Sequence, residues 1–572
     1  MKALYQKIRT LAGKNYGLYK SLADKPWDFG DFTLEFLHVQ GDPFAPASRV
    51  LIKANLQMLG YPSEWGGSFE RRLALSDYLL RRMSAVVKEK YPDKDAAVVF
   101  DVAGPEMLVR NSLWIDNGDL RACLQVRLPG DGRKIQAEDA AEILTMVLPD
   151  LVSSIYNNES RSESGVCVEL LEHYRVVAER ASILYDLKQR GLVAFVPDGA
   201  VLPRASGLSE LPLAGAVPFE APAELAVTLN VNGREIRGMG IPKGVTAITG
   251  GAFHGKSTLL QALVSAVHPH VPGDGREGIV VDESAVRVGV EDGRSVRGTD
   301  LSVLVRDLPG GVVTSNFCTL SASGSTSEAA NLMEAMEFGA RTFFIDEDSS
   351  AVNFLIRDFR VRKLLGDDRE PLIPLADRIR EFASLGCSFI VVAGACGDFL
   401  GLADNIIVMA DYKAECANDK IAGIAPYVKP AGSLPAARIP ECRSFAAYVR
   451  PLSSGLRPAS AVERQVKVKL SGDALVQIGF LVSDASRLFT LVDKPQRLGA
   501  GFMLLNLFQN VVSNSADNAL GASVIEAAQE LCDKIKNVGF RNLPQGMSRE
   551  ISLPRAVDLA GVLFRLHNQS RK

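Results

Sequence analysis

A run of residues in the middle of the chain has the composition of a phosphate-binding loop. Residues 250–258 read Gly-Gly-Ala-Phe-His-Gly-Lys-Ser-Thr, which fits the pattern G-x-x-x-x-G-K-[ST]. A β-branched run precedes it and an apolar helical pattern follows it, so backbone N–H groups would converge on one anion. We expect Lys256 to reach the terminal phosphates of a nucleotide and the Ser257 hydroxyl to ligate Mg²⁺. The predicted nucleotide-binding residues are Gly250, Gly251, Ala252, Phe253, His254, Gly255, Lys256, Ser257 and Thr258.

A second motif, further along the chain, places carboxylates at the end of an apolar strand. Residues 342–345 read Thr-Phe-Phe-Ile and are followed by Asp346 and Glu347. An aspartate at such a strand end can hold Mg²⁺, and the next carboxylate can polarise an attacking water. Many strands simply end in acidic residues at the surface, but the phosphate loop upstream favours nucleotide hydrolysis. We therefore predict Asp346 as a metal ligand and Glu347 as the catalytic carboxylate.

A Ser-Gly turn forms a third motif, about twenty residues before the acidic strand. Residues 321–327 read Ser-Ala-Ser-Gly-Ser-Thr-Ser and lead into an amphipathic helix. Ser325 and Glu328 have the spacing of a capping box, which predicts where this helix begins. Small residues at a helix N-terminus can bind a second anion, so Ser323, Gly324 and Ser325 are candidates for that contact. An ordinary capped helix is the alternative.

The order of these motifs resembles that of the ABC-class ATPases. Several segments are similar to a non-transporter family of predicted ABC-class ATPases that includes a mitochondrial RNA-editing accessory ATPase. The resemblance implies ATP and Mg²⁺ as ligands, and a site in which Ser323, Gly324 and Ser325 of one subunit cover the nucleotide of another. Because the chain carries one cassette, this implies a homodimer, at least transiently with ATP. The matching segments are residues 38–49, 238–260, 272–277, 291–294, 321–337, 345–354, 394–398 and 403–404.

The chain departs from the general ABC pattern at two positions that matter for catalysis. No glutamine occurs between Gln261 and Gln465. The lid glutamine, which in ABC ATPases senses Mg²⁺ and the attacking water, is therefore missing. Ala393, Gly394 and Ala395 stand where a switch histidine would follow the strand, and the phosphate loop carries His254 instead. These departures favour an alternative function, a nucleotide-gated binding protein with little or no hydrolysis.

Composition predicts a globular protein without a membrane anchor. The 572 residues are 47% hydrophobic and carry a formal net charge of −3. The sequence has no long apolar run and no signal-peptide core, which predicts a cytoplasmic protein that does not contact the membrane. The eight cysteines are scattered singly, a pattern typical of reduced thiols rather than of disulfides or metal ligands.

Two proline-rich stretches divide the chain into predicted domains. The fold class is α/β, with a central P-loop ATPase domain whose sheet is mostly parallel because strands and helices alternate. An α+β domain precedes it and a mainly helical domain follows it, with one early strand and helical stretches at 473–491, 499–512 and 522–538. The boundaries are 1–195 for the N-terminal domain, 196–223 for a linker, 224–420 for the ATPase domain, 421–445 for a second linker and 446–572 for the C-terminal domain.

The N-terminal domain also contains a candidate surface for RNA or single-stranded nucleic acid. Residues 14–20 interleave cations with aromatic residues, a combination that can neutralise phosphates and stack on bases. The alternative places the tyrosines in a helical core, and an ATP-driven remodeller of a protein partner is the corresponding alternative function. The candidate nucleic-acid-binding residues are Lys14, Tyr16, Tyr19, Lys20 and Arg49.

Overall fold

The chain forms two compact units in a computed structural model. The first unit contains residues 1–178 and 532–553, and the second contains residues 179–531 and 554–572. The residues that the structure describes are 1–94, 97–99, 104–158, 165–306, 308, 310–366, 370–423, 427, 434, 436–456, 465–513, 522–543 and 549–568. This division does not follow the predicted domain boundaries, which place the whole C-terminal region in one domain.

The first unit combines an antiparallel sheet with helices, as the predicted α+β pattern implies. Alternate residues of its second strand, Phe32, Leu34 and Phe36, are buried in the core of the unit. The elements are α1 Lys2–Arg9, β1 Trp27–Asp28, β2 Phe32–His38, β3 Ser48–Asn55, α2 Phe69–Lys90, β4 Val98–Val99, β5 Leu113–Asp116, β6 Asp119–Val126, β7 Gly130–Asp131, β8 Lys134–Ile135, α3 Ala137–Glu142 and α4 Leu148–Ser154. Helix α5 Val168–Arg190 begins in this unit and continues into the second, which starts at residue 179. The main sheet has the order β1-β2-β3-β6-β4, with β5 paired to β6.

The second unit is built around a sheet that carries the nucleotide motifs. Its elements before the C-terminal region are β9 Leu192–Pro197, β10 Arg204–Ser206, β11 Ser209–Pro212, β12 Ala226–Val231, β13 Arg234–Pro242, β14 Val245–Gly250, α6 Lys256–Ser265, β15 Val280–Val281, β16 Val286–Val288, β17 Val296–Thr299, β18 Phe317–Thr319, α7 Gly324–Glu337, β19 Thr342–Asp346, α8 Val352–Leu355, α9 Phe359–Leu365, α10 Ile379–Ser384, β20 Ser388–Val392, β21 Asn405–Ala410 and β22 Lys413–Cys416. The central sheet has the order β16-β19-β20-β14-β21-β22. Its pairings are parallel except that β22 returns antiparallel to β21, which confirms the predicted mostly parallel sheet. The ends of β14 and β19 therefore lie at the same edge of the sheet.

A second, antiparallel sheet in this unit includes part of the segment predicted as a linker. Strand β9 pairs with both β13 and β15, giving the order β12-β13-β9-β15. Residues 196–223 include the end of β9, and five of their apolar side chains are buried in the core of the unit. Part of this stretch therefore packs into the core of the unit. The buried side chains are Val196, Ala200, Leu202, Phe219 and Ala221.

The C-terminal region contains a small sheet that the sequence analysis did not predict. The expected helix at 473–491 is wrong, because residues 475–484 form a hairpin in which Gly479 has a φ of 59°. Its short apolar runs satisfy both the helical and the strand period, so periodicity could not separate the two structures. The helices at 499–512 and 522–538 are confirmed. The elements are α11 Phe445–Val449, β23 Val468–Ser471, β24 Leu475–Ile478, β25 Leu481–Asp484, α12 Lys494–Ser513, α13 Val524–Val538, α14 Ala556–Phe564 and β26 His567–Asn568. Residues 424–426, 428–433 and 435 of the predicted second linker lie outside the described residues.

Candidate nucleotide-binding site

The phosphate loop connects β14 to α6, in the context that its sequence predicts. Gly250 has a φ of 134°, and a Cβ atom there would lie 2.2 Å from the carbonyl oxygen of Met409. Only glycine fits this position, because any side chain would collide with the neighbouring strand β21. Gly255 caps α6 with a φ of 100°, and Phe253 has a φ of 64° with its ring 94% exposed. A bulky residue in the left-handed region is uncommon, so this loop holds backbone strain of the kind that functional loops often carry.

The side chain of Lys256 folds back over the phosphate loop. Its Nζ donates hydrogen bonds of 2.7 Å to the carbonyl oxygens of Gly250 and Gly251. The ammonium group is thus held over the loop, where a phosphate would meet both it and the backbone N–H groups. A Cβ atom on Gly394 would lie 4.0 Å from Cε of Lys256 and 3.8 Å from Oε2 of Glu347. Gly394 therefore marks the point where the predicted phosphate-binding lysine and the predicted catalytic carboxylate converge.

His254 is fastened to the turn between β21 and β22. The backbone N–H of Asp411 donates to Nδ1 of His254 over 2.7 Å, which leaves the ring proton on Nε2. A Cβ atom on Gly251 would lie 2.7 Å from the imidazole ring, so the ring packs directly against the start of the loop. The histidine thus braces the phosphate loop and directs one N–H donor away from Asp411.

Asp346 ends β19 and is largely buried. Its Oδ2 accepts a hydrogen bond of 3.0 Å from Nη2 of Arg287, while Oδ1 has no partner among the described residues. Burial raises the pKa of Asp346, although the guanidinium of Arg287 opposes this shift. A buried carboxylate oxygen without a partner fits a metal ligand, since Mg²⁺ prefers oxygen donors. Ser257 and Asp346 are the residues that would hold Mg²⁺.

Glu347 is held by a backbone cradle that the sequence did not reveal. Its Oε2 accepts hydrogen bonds from the N–H groups of Gly394, Ala395 and Cys396 at 2.7, 2.9 and 3.1 Å. Partial burial raises the pKa of Glu347, but these three N–H groups outweigh it and hold the pKa below its ordinary value. The segment that stands in place of a switch histidine thus binds the predicted catalytic carboxylate through main-chain atoms. Because backbone N–H groups belong to every residue type, no sequence pattern could have identified them.

The Ser-Gly turn begins α7, but not as the capping box predicted. The helix starts at Gly324 with Ser323 as its N-cap, so Ser325 lies inside the first turn. Glu328 does not reach back to cap the helix, because its side chain is buried and its Oε2 accepts from the N–H of Ala351 over 2.7 Å. The capping-box prediction is therefore wrong. Ser323, Gly324 and Ser325 nevertheless lie together at the helix N-terminus.

Three arginines bind polar side chains on the buried helix α7. Arg443 binds Glu337 through two hydrogen bonds of 2.7 Å, and Arg294 pairs with Glu334. Arg565 donates to Glu291 over 2.9 Å and to Asn331 of the helix over 3.0 Å. Two of these arginines come from the C-terminal region, so that region fixes the position of the Ser-Gly turn. This network has no signature in the sequence, because its residues are far apart in the chain.

The buried carboxyl group of Glu328 should make the free energy of unfolding depend on pH. Burial raises the pKa of Glu328 from 4.5 to about 7. The folded protein keeps this proton up to about pH 7 while the unfolded chain loses it near 4.5, so stability falls as pH rises between these values. We expect Glu328→Gln to be more stable than wild type by about 1–3 kcal/mol at about pH 8, and by much less at about pH 5. Urea unfolding at both pH values measures this, and an equal difference at both would contradict the assignment.

The predicted aromatic surface for nucleic acid is not present. Tyr16 and Tyr19 are buried, and their hydroxyls donate to the carbonyl oxygens of Leu128 and Pro129 at 2.6 and 2.8 Å. Their rings meet edge to face within the core of the first unit, so they cannot stack on bases. The alternative of core aromatics therefore describes the structure, because two large rings gain more from burial than from exposure.

The predicted cations of this surface differ in exposure. Arg49 is 3% exposed, and its Nη2 lies 3.0 Å from Sγ of Cys123, so its expected role as an exposed cation is wrong. Lys14 and Lys20 are exposed, as predicted. Of the five predicted nucleic-acid-binding residues, Lys14 and Lys20 are therefore the two whose charges are exposed to a phosphate.

Substitution of Tyr19 should report on stability, not on binding. We expect Tyr19→Ala to lower the free energy of unfolding by about 3–5 kcal/mol, because it leaves a cavity beside Tyr16. Tyr19→Phe keeps the ring and should cost only about 0.5–1.5 kcal/mol, the value of the hydroxyl bond. Thermal melts beside oligonucleotide-binding assays test this. A fully stable Tyr19→Ala protein with weakened nucleic-acid binding would contradict the buried position.

The helices of the described residues were compared in length and hydropathy with what a bilayer requires. None of these helices is long and apolar enough to cross a bilayer.

Comparison with solved structures and with other proteins finds several similar chains. An uncharacterized protein of Methanocaldococcus jannaschii is 33% identical over 203 residues, a match that covers 35% of this chain and 44% of that relative. The chain thus spans less than half of that relative. An ATP-binding cassette of an ABC transporter in its ADP conformation is 12% identical, with 41% of this chain and 94% of that chain covered and a TM-score of 0.25. A Clostridium perfringens protein described as part of an ABC transporter complex is 15% identical, with 41% and 91% covered and a TM-score of 0.25.

Two family models match the chain over consecutive regions. Residues 167–438 match the P-loop domain of the ABC ATPase family, and residues 1–159 match the N-terminal model of ATPases of the ABC class. The first match contains the phosphate loop, the Ser-Gly turn and the acidic strand, and the two together cover well over half of the chain. The chain therefore belongs to the ABC-class ATPases and carries their ATP-binding domain.

Proposed function

We propose that the protein hydrolyses ATP with Mg²⁺ at the edge of the central sheet. Lys256 and the loop amides bind the phosphates, Ser257 and Asp346 hold the metal, and Glu347 polarises the attacking water. The metal, when bound, neutralises charge on the phosphates. The observation that carries this proposal is the convergence of Lys256 and Glu347 on Gly394, within about 4 Å of its Cβ position.

The hydrolysis that we propose is slow. A general base is most effective when its pKa lies near the working pH, whereas three backbone N–H groups hold the pKa of Glu347 below its ordinary value. The missing lid glutamine removes a further group that could orient the water. The same features support the alternative, a nucleotide-gated binding protein in which ATP binding alone drives the change. Turnover of wild-type protein, measured as phosphate release with Mg²⁺, separates the two.

Composite sites would join two copies of this chain. We propose that Ser323, Gly324 and Ser325 of one copy complete the nucleotide site of the other, because the N-terminus of α7 offers an anion a positive helix end. ATP binding would then close a homodimer and change the conformation of the flanking regions. The arginines that fix α7 to the C-terminal region support this coupling, since movement of the helix would carry them with it.

The proposed partner is nucleic acid, bound through its phosphates. The exposed side chains of Lys14 and Lys20 support this, and a cytoplasmic location is part of the proposal. An ATP-driven remodeller of a protein partner is the alternative. We expect Lys14→Ala and Lys20→Ala each to lower the salt-dependence slope of oligonucleotide binding by roughly one unit.

Fluorescence anisotropy over a salt series, together with turnover with and without RNA and DNA, tests the partner. Stimulated turnover and reduced slopes would support nucleic acid. If the wild-type protein binds neither RNA nor DNA at low salt, this result contradicts the proposal and favours a protein partner.

A further inference from the structure

The metal-binding aspartate already has a cation as its partner. Arg287 lies on β16, which pairs with β19, the strand that ends at Asp346. Its Nη2 donates to Oδ2 of Asp346 over 3.0 Å and to Oγ of Ser349 over 3.2 Å. The ring of Phe489 lies 4.4 Å from the guanidinium carbon and covers it. Arg287 is therefore fixed in place by three contacts, two from residues 346–349 and one from Phe489 of the C-terminal region.

Burial makes the charge of Arg287 effective at Asp346. The two side chains are only 12% and 9% exposed, so little water screens their interaction. An ion pair of this kind carries no net charge, and its attraction for a free divalent cation is therefore weak. Oδ1 of Asp346 has no partner among the described residues, so a ligand oxygen is present although its charge is largely cancelled.

We propose that Arg287 is the built-in counter-ion of Asp346 and sets the metal affinity of the site, so that a divalent cation enters with the nucleotide and not before it. This inference rests on the proposed role of Asp346 as a metal ligand. A bound polyphosphate adds several negative charges beside the phosphate loop, and these attract the cation in spite of Arg287. Metal binding to protein without nucleotide stays weak.

Removal of the guanidinium should therefore strengthen metal binding. Arg287→Met has a side chain of similar length without charge, and it leaves the carboxylate of Asp346 uncompensated. We expect this variant to reach half-maximal Mg²⁺-dependent binding of a fluorescent ADP at an Mg²⁺ concentration lower by about tenfold or more. It should also bind Mn²⁺ without nucleotide, measured as loss of the free-Mn²⁺ signal in electron paramagnetic resonance. Arg287→Lys keeps the charge and should stay close to wild type in both measurements.

A matched control comes from another arginine–aspartate pair of the same unit. Arg204 lies 2.8 Å from Asp274 in a pair that is 14% and 3% exposed. Arg204→Met should lower stability to a similar degree but leave the metal titration unchanged. Affinity for the fluorescent ADP in EDTA, where Lys256 and the loop amides act without metal, should be unaltered in all variants and confirms that each is folded.

The outcomes separate this inference from the proposed function. Tighter metal binding by Arg287→Met alone supports the counter-ion role. Weaker binding would show that Arg287 orients Asp346 and would overturn the inference, as would an unchanged titration or an equal gain in Arg204→Met. If ADP binding by wild type does not depend on Mg²⁺ at all, then Asp346 is not a metal ligand, and both the inference and that part of the proposed function fail.

Discussion

Replacement of Lys256 by alanine should abolish ATP binding or weaken it severely. The Nζ group lies over the loop, 2.7 Å from the carbonyl oxygens of Gly250 and Gly251, where a phosphate would meet it. Its removal takes away the cation that we expect to contact the β- and γ-phosphates, and loop amides alone do not replace a full charge. We expect a loss of at least about a hundredfold in affinity, which corresponds to about 2.7 kcal/mol. Isothermal titration calorimetry with ATP and Mg²⁺ measures it.

An exposed lysine of the same unit serves as the control for this experiment. Lys413 lies on β22, beside the turn that binds His254, and its side chain is exposed. Lys413→Ala removes the same charge near the same edge of the sheet and should bind ATP normally. Unchanged ATP affinity in a folded Lys256→Ala protein would remove the assignment of residues 250–258 as the phosphate loop.

Replacement of Glu347 by glutamine should leave ATP binding intact and remove most turnover. The amide oxygen of glutamine can still accept from the N–H groups of Gly394, Ala395 and Cys396, so the side chain should keep its position. It cannot act as a base, however, and general-base catalysis typically contributes about 10²–10⁴-fold to a rate. Phosphate release measures the loss, and Asp348→Asn, which changes the exposed neighbouring carboxylate, should retain wild-type turnover.

The same variant tests the composite site. If ATP closes two copies around two nucleotides, Glu347→Gln should accumulate as a dimer in ATP and Mg²⁺. The variant does not hydrolyse the bound ATP, and the closed dimer therefore does not separate. Light scattering with and without ATP gives the mass directly. A monomer with lost turnover would support the catalytic role and reject the composite site. A monomer with wild-type turnover would contradict both roles.

The motifs of the nucleotide site could be predicted because their chemistry depends on residue type and local spacing. A strand, a glycine-rich loop and a helix follow one another in residues 245–265, so local pattern was enough to place Lys256 and Ser257. The acidic strand was predicted for the same reason, since a short apolar run before Asp346 is typical of a buried parallel strand. Alternating strands and helices also predicted the mostly parallel sheet.

Features that depend on distant contacts could not be predicted in this way. Tyr16 and Tyr19 alternate with lysines in the sequence, as in a surface that stacks on bases. Only their hydrogen bonds to the carbonyl oxygens of residues 128 and 129 show that they are core residues. The hairpin at 475–484 was mistaken for a helix, because its apolar residues fit both periods until their partners are known.

The chemistry of the residues was determined by the sequence, and their environment by the tertiary structure. The sequence by itself determined which side chains can bind phosphate, hold a metal and polarise water, because these are properties of lysine, serine and carboxylate at fixed local spacing. Only the tertiary structure decided that Arg287 neutralises Asp346 and that the N–H groups of residues 394–396 hold Glu347. Both contacts join segments of neighbouring strands that are far apart in the chain, and burial strengthens the contact between Arg287 and Asp346.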